Sequence, residues 1–148
     1  MIDRENLCGK ALEMRARAYT PYSHFNVGAA LLCKDGSIYT GCNIENAAYT
    51  PANCAERTAF FKAVSDGKRE FTAIAIAGGN ETAESLDYCA PCGVCRQVMK
   101  EFCGASFEVI LAKTQKDYRV FTLEELLPMG FGPENLEKKM LYKADEEL

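Results

Sequence analysis

Apolar positions recur along this chain with two periods. Leu7, Ala11, Leu12, Met14 and Ala18 fall at helical spacing over residues 3–18, with Asp3 placed to cap the start and Pro21 closing the region. Val27 to Leu32 is a continuous apolar run, and a second strand-like stretch covers Ile38 to Cys42. Between them lies Lys34-Asp35-Gly36-Ser37, whose Asp-Gly pair predicts a hairpin. Helical spacing returns over about 52–65 through Ala59, Phe60, Phe61, Ala63 and Val64, and ends at Ser65-Asp66-Gly67. Thr72 to Ala77 reads as a buried strand that Gly78-Gly79 breaks. A polar loop over 80–90, a helix over about 93–102 and a strand from Phe107 to Ala112 follow. Asp117 to Phe121 reads as a short last strand, and Thr122-Leu123-Glu124-Glu125 has the spacing of a capping box that opens a short helix.

The order α-β-β-α-β-α-β-β-α predicts an α/β fold. Its simplest form is a three-layer sandwich, a mixed sheet of about five strands with helices on both faces. No repeat, low-complexity segment or linker divides the chain, and 148 residues are enough for one real core. One domain is expected over residues 1–137. The charge-rich end that begins near Glu134 predicts a tail or helix extension over 138–148.

Charge narrows the partners. A formal charge of -4 argues against a nucleic-acid polyanion, which binds to basic patches. Met1-Ile2-Asp3-Arg4-Glu5 is charged at once and has no apolar core of a signal peptide, and no apolar run approaches the ~20 residues of a membrane span. A cytoplasmic protein without membrane contact is the expectation. Eight cysteines in 148 residues are about 5%, below the ~8–10% of disulfide scaffolds, so metal binding or catalysis is the better reading of the clustered ones. Cys8, Cys33, Cys42 and Cys103 lie in apolar-periodic segments and read as small buried hydrophobes.

The chemistry concentrates in two short stretches. Pro51-Ala52-Asn53-Cys54-Ala55-Glu56-Arg57 sets a thiol and a carboxylate two residues apart at a helix start, where Pro suits the first turn and Asn is a good cap. Side chains at i and i+2 diverge in mid-helix, but at a first turn facing a cavity both can reach one small ion and its water. Pro91-Cys92-Gly93-Val94-Cys95 supplies two further thiols at another helix start, whose amides and macrodipole favour thiolate. Three protein ligands, Cys54, Cys92 and Cys95, with a fourth position open, are what a catalytic zinc requires. Such a site brings the pKa of bound water to ~7, and Glu56 can carry the proton. Alternatives are a structural zinc closed by Cys89 and a redox Cys-x-x-Cys. Glu56 favours the catalytic reading, since neither alternative has a use for it. Three thiolates on one zinc leave a net charge of about -1, which a guanidinium from Arg57 would offset by bonding to sulfur. An ordinary surface ion pair is the competing role for Arg57. His24, the only histidine, sits in a polar loop and reads as solvated, and Cys89 reads as a bystander.

This constellation is a variant of the zinc-deaminase signature, with Cys in place of the His of H-x-E and P-C-x-x-C downstream. The chain resembles the small, free-nucleoside cytidine deaminases. The blocks that carry the resemblance run from Ala18-Tyr19-Thr20-Pro21-Tyr22-Ser23 and Phe25-Asn26-Val27-Gly28-Ala29-Ala30 to Gly41-Cys42-Asn43-Ile44-Glu45-Asn46-Ala47-Ala48-Tyr49. They continue with Asn53-Cys54-Ala55-Glu56-Arg57-Thr58-Ala59, Pro91-Cys92-Gly93-Val94-Cys95-Arg96-Gln97 and Leu126-Leu127-Pro128, and cover about residues 5 to 137.

The resemblance implies a cytidine deaminase-like fold and hydrolysis of cytidine and deoxycytidine to uridine and deoxyuridine plus ammonia. It implies one zinc per chain on Cys54, Cys92 and Cys95, with Glu56 shuttling protons. It assigns the ribose hydroxyls, the 3′-OH above all, to Asn43 and Glu45, although those two taken alone read as caps of a strand end. Phe25 would line the base pocket and Ala55 offer backbone groups to the base edge. Tyr49 and Phe131 would complete a neighbouring subunit's site in a homotetramer. Residues 80–89 look longer than the family's usual connection. Rival substrates within the superfamily are blasticidin-type nucleosides, nucleotides and transfer-RNA adenosine; the Asn43-Ile44-Glu45-Asn46 block and the acidic charge favour a free nucleoside.

Overall fold

Alternation along the strands splits the core in two. On one face of the sheet Ala29, Leu31, Ile74, Ile76, Val109 and Leu111 pack with Ala59, Phe60, Ala63, Cys95 and Met99. On the other, Ala30, Ala73, Ala75, Ala77, Ile110 and Ala112 pack with Leu7, Cys8 and Ala11. Neighbours in sequence thus face opposite layers, as the pleat demands. The small alanines on the second face let a single helix lie close.

The computed structural model describes residues 1–136, so the expected tail over 138–148 and the domain limit at 137 lie outside the described residues. Helix α1 (Arg4–Met14) opens at Asp3, whose carboxylate accepts from the Asn6 N–H, and a 3-10 turn (Arg15–Arg17) continues it. Strands β1 (Phe25–Cys33) and β2 (Ile38–Cys42) form the expected hairpin, with Gly36 at φ +92° in its turn. Then come α2 (Ala55–Ser65), β3 (Phe71–Asn80), α3 (Gly93–Phe102), β4 (Glu108–Ala112), β5 (Tyr118–Thr122) and α4 (Leu123–Leu126). The capping box is formed: Thr122 accepts from the Glu125 N–H while Glu125 accepts from the Thr122 N–H.

The strands order as β2-β1-β3-β4-β5. β1 is antiparallel to both β2 and β3, and β3 is parallel to β4. Hence β2 and β3 run the same way, and the chain leaves both at one edge of the sheet. The helices that follow them, α2 and α3, share the face opposite α1. Their N-termini therefore open near the carboxyl ends of β2 and β3, the usual place for a site in an α/β sheet. The three-layer mixed sheet is as expected.

Two local expectations are corrected. The motif helix starts at Ala55, not near 52, because Asn53 is held outside it: its N–H and C=O pair with the C=O and N–H of Ile44. Cys54 is the cap. Gly78 and Gly79 do not break β3, which pairs through them with Val27 and Asn26. Their missing side chains instead make room, since a Cβ on Gly78 would lie 2.7 Å from the Cys89 sulfur.

Close approach also seats α2. A Cβ on Gly41 of β2 would lie 2.3 Å from the Ala55 carbonyl oxygen and 2.7 Å from the Ala59 nitrogen. Backbone cannot yield as a flexible side chain can. Gly41→Ala is expected to destabilise the fold by at least the ~1–3 kcal/mol of overpacking and to push the first turn of α2 off the sheet. Urea titration checks this; an unchanged midpoint would contradict it.

Candidate active site

Cys54 caps α2 and Cys92 caps α3, so two helix N-termini converge on one spot. Both caps have extended backbone, which aims their side chains past the first turn. The Cys92 sulfur lies 3.7 Å from that of Cys54 and 3.5 Å from that of Cys95. All three sulfurs fall within 4.8 Å of one another. Tetrahedral zinc with Zn–S bonds of ~2.3 Å needs sulfurs about 3.8 Å apart. The observed spacing is thus that of a shared metal and is too long for any S–S bond. The donor set, three soft thiols, suits zinc.

Cys89 stays outside this group. Its sulfur packs over Gly78, and burial pushes its thiol up to about 11, a neutral apolar neighbour rather than a fourth ligand.

Charge is arranged around the sulfurs. Hydrogen bonding with Cys95, then with Arg57 and Cys92, holds the Cys54 thiol below its ordinary value against the cost of burial. The pairing with Cys54, together with burial, pushes Cys95 up. An Arg57 terminal nitrogen donates to the Cys54 sulfur at 3.3 Å. Burial works against its charge, but hydrogen bonds to Cys54 and Cys95 keep the guanidinium above its ordinary value. Its Nε is buried without a hydrogen-bond partner. Arg57 therefore sits on the thiol cluster, not in a surface ion pair.

Glu56 is 4% exposed, one of two buried polar side chains among the described residues. Burial pushes its carboxyl up to about 7, against a hydrogen bond within its own residue. Ala55, fully buried, is the first residue of α2, where the N–H lies beyond the intrahelical ladder.

The expected sugar and base contacts form a second group. The Asn43 side chain works as a false strand: its Oδ1 accepts from the Val27 N–H at 2.9 Å and its Nδ2 donates to the Phe25 carbonyl at 2.8 Å. One Glu45 oxygen accepts from the Tyr22 and Ser23 N–H groups, and hydrogen bonds from Ser23 hold the carboxyl below its ordinary value. Glu45 lines a cavity of about 350 Å³ with Tyr22, Ser23, Asn46, Tyr49 and Ala52. Tyr49, at φ +61°, is 75% exposed with its ring edge-on to Tyr22 at 6.4 Å. Phe131 is 59% exposed, and Phe25 also faces solvent. His24 pairs with Glu81 at 3.1 Å, away from the sulfurs.

Sequence reasoning missed the ties that hold these parts. Arg15 donates to the carbonyls of Asn26, Gly79 and Asn80, and Asn26 donates back to Arg15. Arg96 donates to the carbonyls of Pro91 and Leu126. Both arginines bind distant backbone carbonyls, which carry no residue signature.

Residues 1–111 match the family described as cytidine and deoxycytidylate deaminase zinc-binding region. A cytidine deaminase of Sporosarcina psychrophila is 52% identical over 135 residues, covering 91% of this chain and 96% of that one. One of Halalkalibacterium halodurans is 50% identical, covering 91% and 98%. The crystal structure of cytidine deaminase from Burkholderia pseudomallei superposes with a TM-score of 0.79 at 46% identity, over 88% of this chain and all of that one.

The geometry predicts one zinc per chain that survives Cys89→Ser and is lost in Cys92→Ser. Elemental analysis of the purified variants decides it. Zinc lost from the first and kept in the second would overturn the ligand set.

Proposed function

We propose that this chain, which belongs to the cytidine and deoxycytidylate deaminase family, hydrolyses cytidine and deoxycytidine to uridine and deoxyuridine with release of ammonia. The observation that carries the reading is a carboxylate buried in the same helix turn as one of three converging thiols. A buried acid with no cationic partner of its own has little structural use, and beside a metal site it is suited to moving protons.

Zinc is the cofactor, held by Cys54, Cys92 and Cys95; when bound it supplies Lewis acidity and acidifies water at the open position of the site. The chain's own residues do the rest. Glu56 takes a proton from the water that adds to C4 of the cytosine ring and gives one to ring N3. It then takes the proton of the C4 hydroxyl and passes it to the amino group, which leaves as ammonia as the C4 carbonyl forms. A carboxyl poised near 7 suits both directions of transfer. Arg57 offsets the excess negative charge of three thiolates. Phe25 lines the base pocket, and the Ala55 N–H, outside the helix ladder, is free to meet the base edge.

Asn43 and Glu45 read the 3′-hydroxyl. The cavity beside Glu45 supports this, and so does an ionised carboxylate at its wall. Tyr49 and Phe131, large and exposed, are suited to completing a neighbour's site in a homotetramer. The catalytic domain occupies residues 1–137. Among the described residues no helix is long and apolar enough to cross a membrane, and the proposed location is the cytoplasm.

Purified protein is expected to convert cytidine to uridine and ammonia in equal amounts. Deoxycytidine should react as well, and 3′-deoxycytidine with kcat/KM lower by about 10–100-fold, from ~1.5–3 kcal/mol for a hydrogen bond to a charged group. Equal kcat/KM for cytidine and its 3′-deoxy form would sink the sugar assignment. Light scattering should give four chains per particle under assay conditions; a fully active monomer would contradict the shared site.

A further inference from the structure

Helix α3 begins with two of the candidate metal ligands, and the residues that follow them reach across to the segment after α4. Arg96 ties the start of the helix to the last residue of α4, where that segment begins: its Nε donates to the Pro91 carbonyl at 2.8 Å and a terminal nitrogen donates to the Leu126 carbonyl at 2.6 Å. One residue on, the Gln97 amide donates to the Phe131 carbonyl at 2.7 Å. One turn further, Lys100 pairs with Glu134 at 2.7 Å. A single rigid helix thus grips the segment 126–134 at three places. Pro91 is fully buried, so one end of the Arg96 tie is fixed.

The ends of the segment have other contacts, since Leu127 packs against the core and Gly132 and Asn135 exchange hydrogen bonds, but the stretch between them projects outward. Met129 is fully exposed and sits at φ +52°, and the Phe131 ring is largely in solvent. An exposed ring takes its direction mainly from the backbone that carries it. A hydrogen bond on its own carbonyl fixes the backbone from which the ring projects.

We propose that Gln97 is a positioning residue for substrate binding, which acts by fixing the Phe131 carbonyl and so the direction of the Phe131 ring. This rests on the reading that Phe131 completes a substrate site. Through Arg96 and Gln97 the helix that anchors two candidate metal ligands also sets the reach of that ring, so the metal centre of one chain and the wall it lends to its neighbour share one frame. Gln97 lies outside the thiol cluster, and its amide is engaged by the Phe131 carbonyl. Its effect must therefore appear in binding, not in chemistry.

Gln97→Glu is the sharpest variant. It keeps the shape but replaces the amide donor by an oxygen facing the Phe131 carbonyl oxygen, two acceptors with no hydrogen between them. Gln97→Ala, which removes the group without repulsion, serves if the first folds poorly. The assay compares each with Phe131→Ala and with the double variant, reading KM and kcat for cytidine, the Kd of the product uridine by calorimetry, and zinc content. The expected result is a rise of about three- to tenfold in both KM and uridine Kd for Gln97→Glu. The kcat should stay within twofold, zinc should remain at one per chain, and Gln97→Glu should add nothing once Phe131 is alanine. Wild-type KM and Kd in Gln97→Glu while Phe131→Ala raises both would overturn the proposal, as would effects that multiply in the double variant. A loss of thermal stability with unchanged KM would mark Gln97 as merely structural and overturn it too. If Phe131→Ala itself leaves KM and Kd untouched, the reading of Phe131 has failed and the proposal falls with it.

Discussion

Three sulfur atoms on the first turns of two helices must come within 4.8 Å of one another, and most of the architecture serves that requirement. Each helix start has to arrive at the same spot from a different strand. The sheet provides this because β2 and β3, both antiparallel to β1, deliver the chain to one edge. Gly41 lets α2 lie against β2 at backbone contact, and Phe60, fully buried against Phe71, Phe102 and Phe107, locks α2 onto the same layer as the end of α3. Converging thiols at helix N-termini repel one another once ionised. Arg57 relieves part of this repulsion, at the cost of an orphaned Nε, and a bound cation would relieve the rest.

The second half of the site is assembled differently, from side chains that stand in for backbone. β1 runs past the end of β2, and the Asn43 amide pairs with the Phe25 carbonyl and Val27 N–H where a further strand residue would have been. Arg15 fixes the opposite side, at Asn26, Gly79 and Asn80. The proposed base-lining residue Phe25 is thereby held between two polar ties. The strand-end role that the position of Asn43 alone suggests is real, and the sugar contact is proposed beside it.

Much of this was legible in the sequence. The Asp-Gly hairpin, the capping box at Thr122 and Glu125, and the Cys92–Cys95 pair are local signals, and each appears where the pattern puts it; Cys54 joins that pair from 38 residues away, a meeting that the resemblance implied. What could not be read depends on partners far along the chain. Asn53 looks like a helix cap until Ile44 is known to pair with it, and Gly78-Gly79 looks like a break until Cys89 and Leu86 are found above them. The burial of Glu56 and the grip of Arg96 and Gln97 are likewise tertiary facts. The sequence names the residues, but the carbonyls they bind lie up to 34 positions away.

One buried carboxylate, Glu56, is proposed to carry the protons of the reaction while contributing nothing to holding the metal. A single general acid–base role is worth ~10²–10⁴-fold, and several successive transfers should cost at least the upper end of that range. The most direct measurement is kcat together with zinc content for purified Glu56→Ala. Zinc is expected to stay near one per chain while kcat falls by ~10⁴-fold or more. A zinc-replete variant within tenfold of the parent kcat would show that another group moves the protons and would contradict the mechanism.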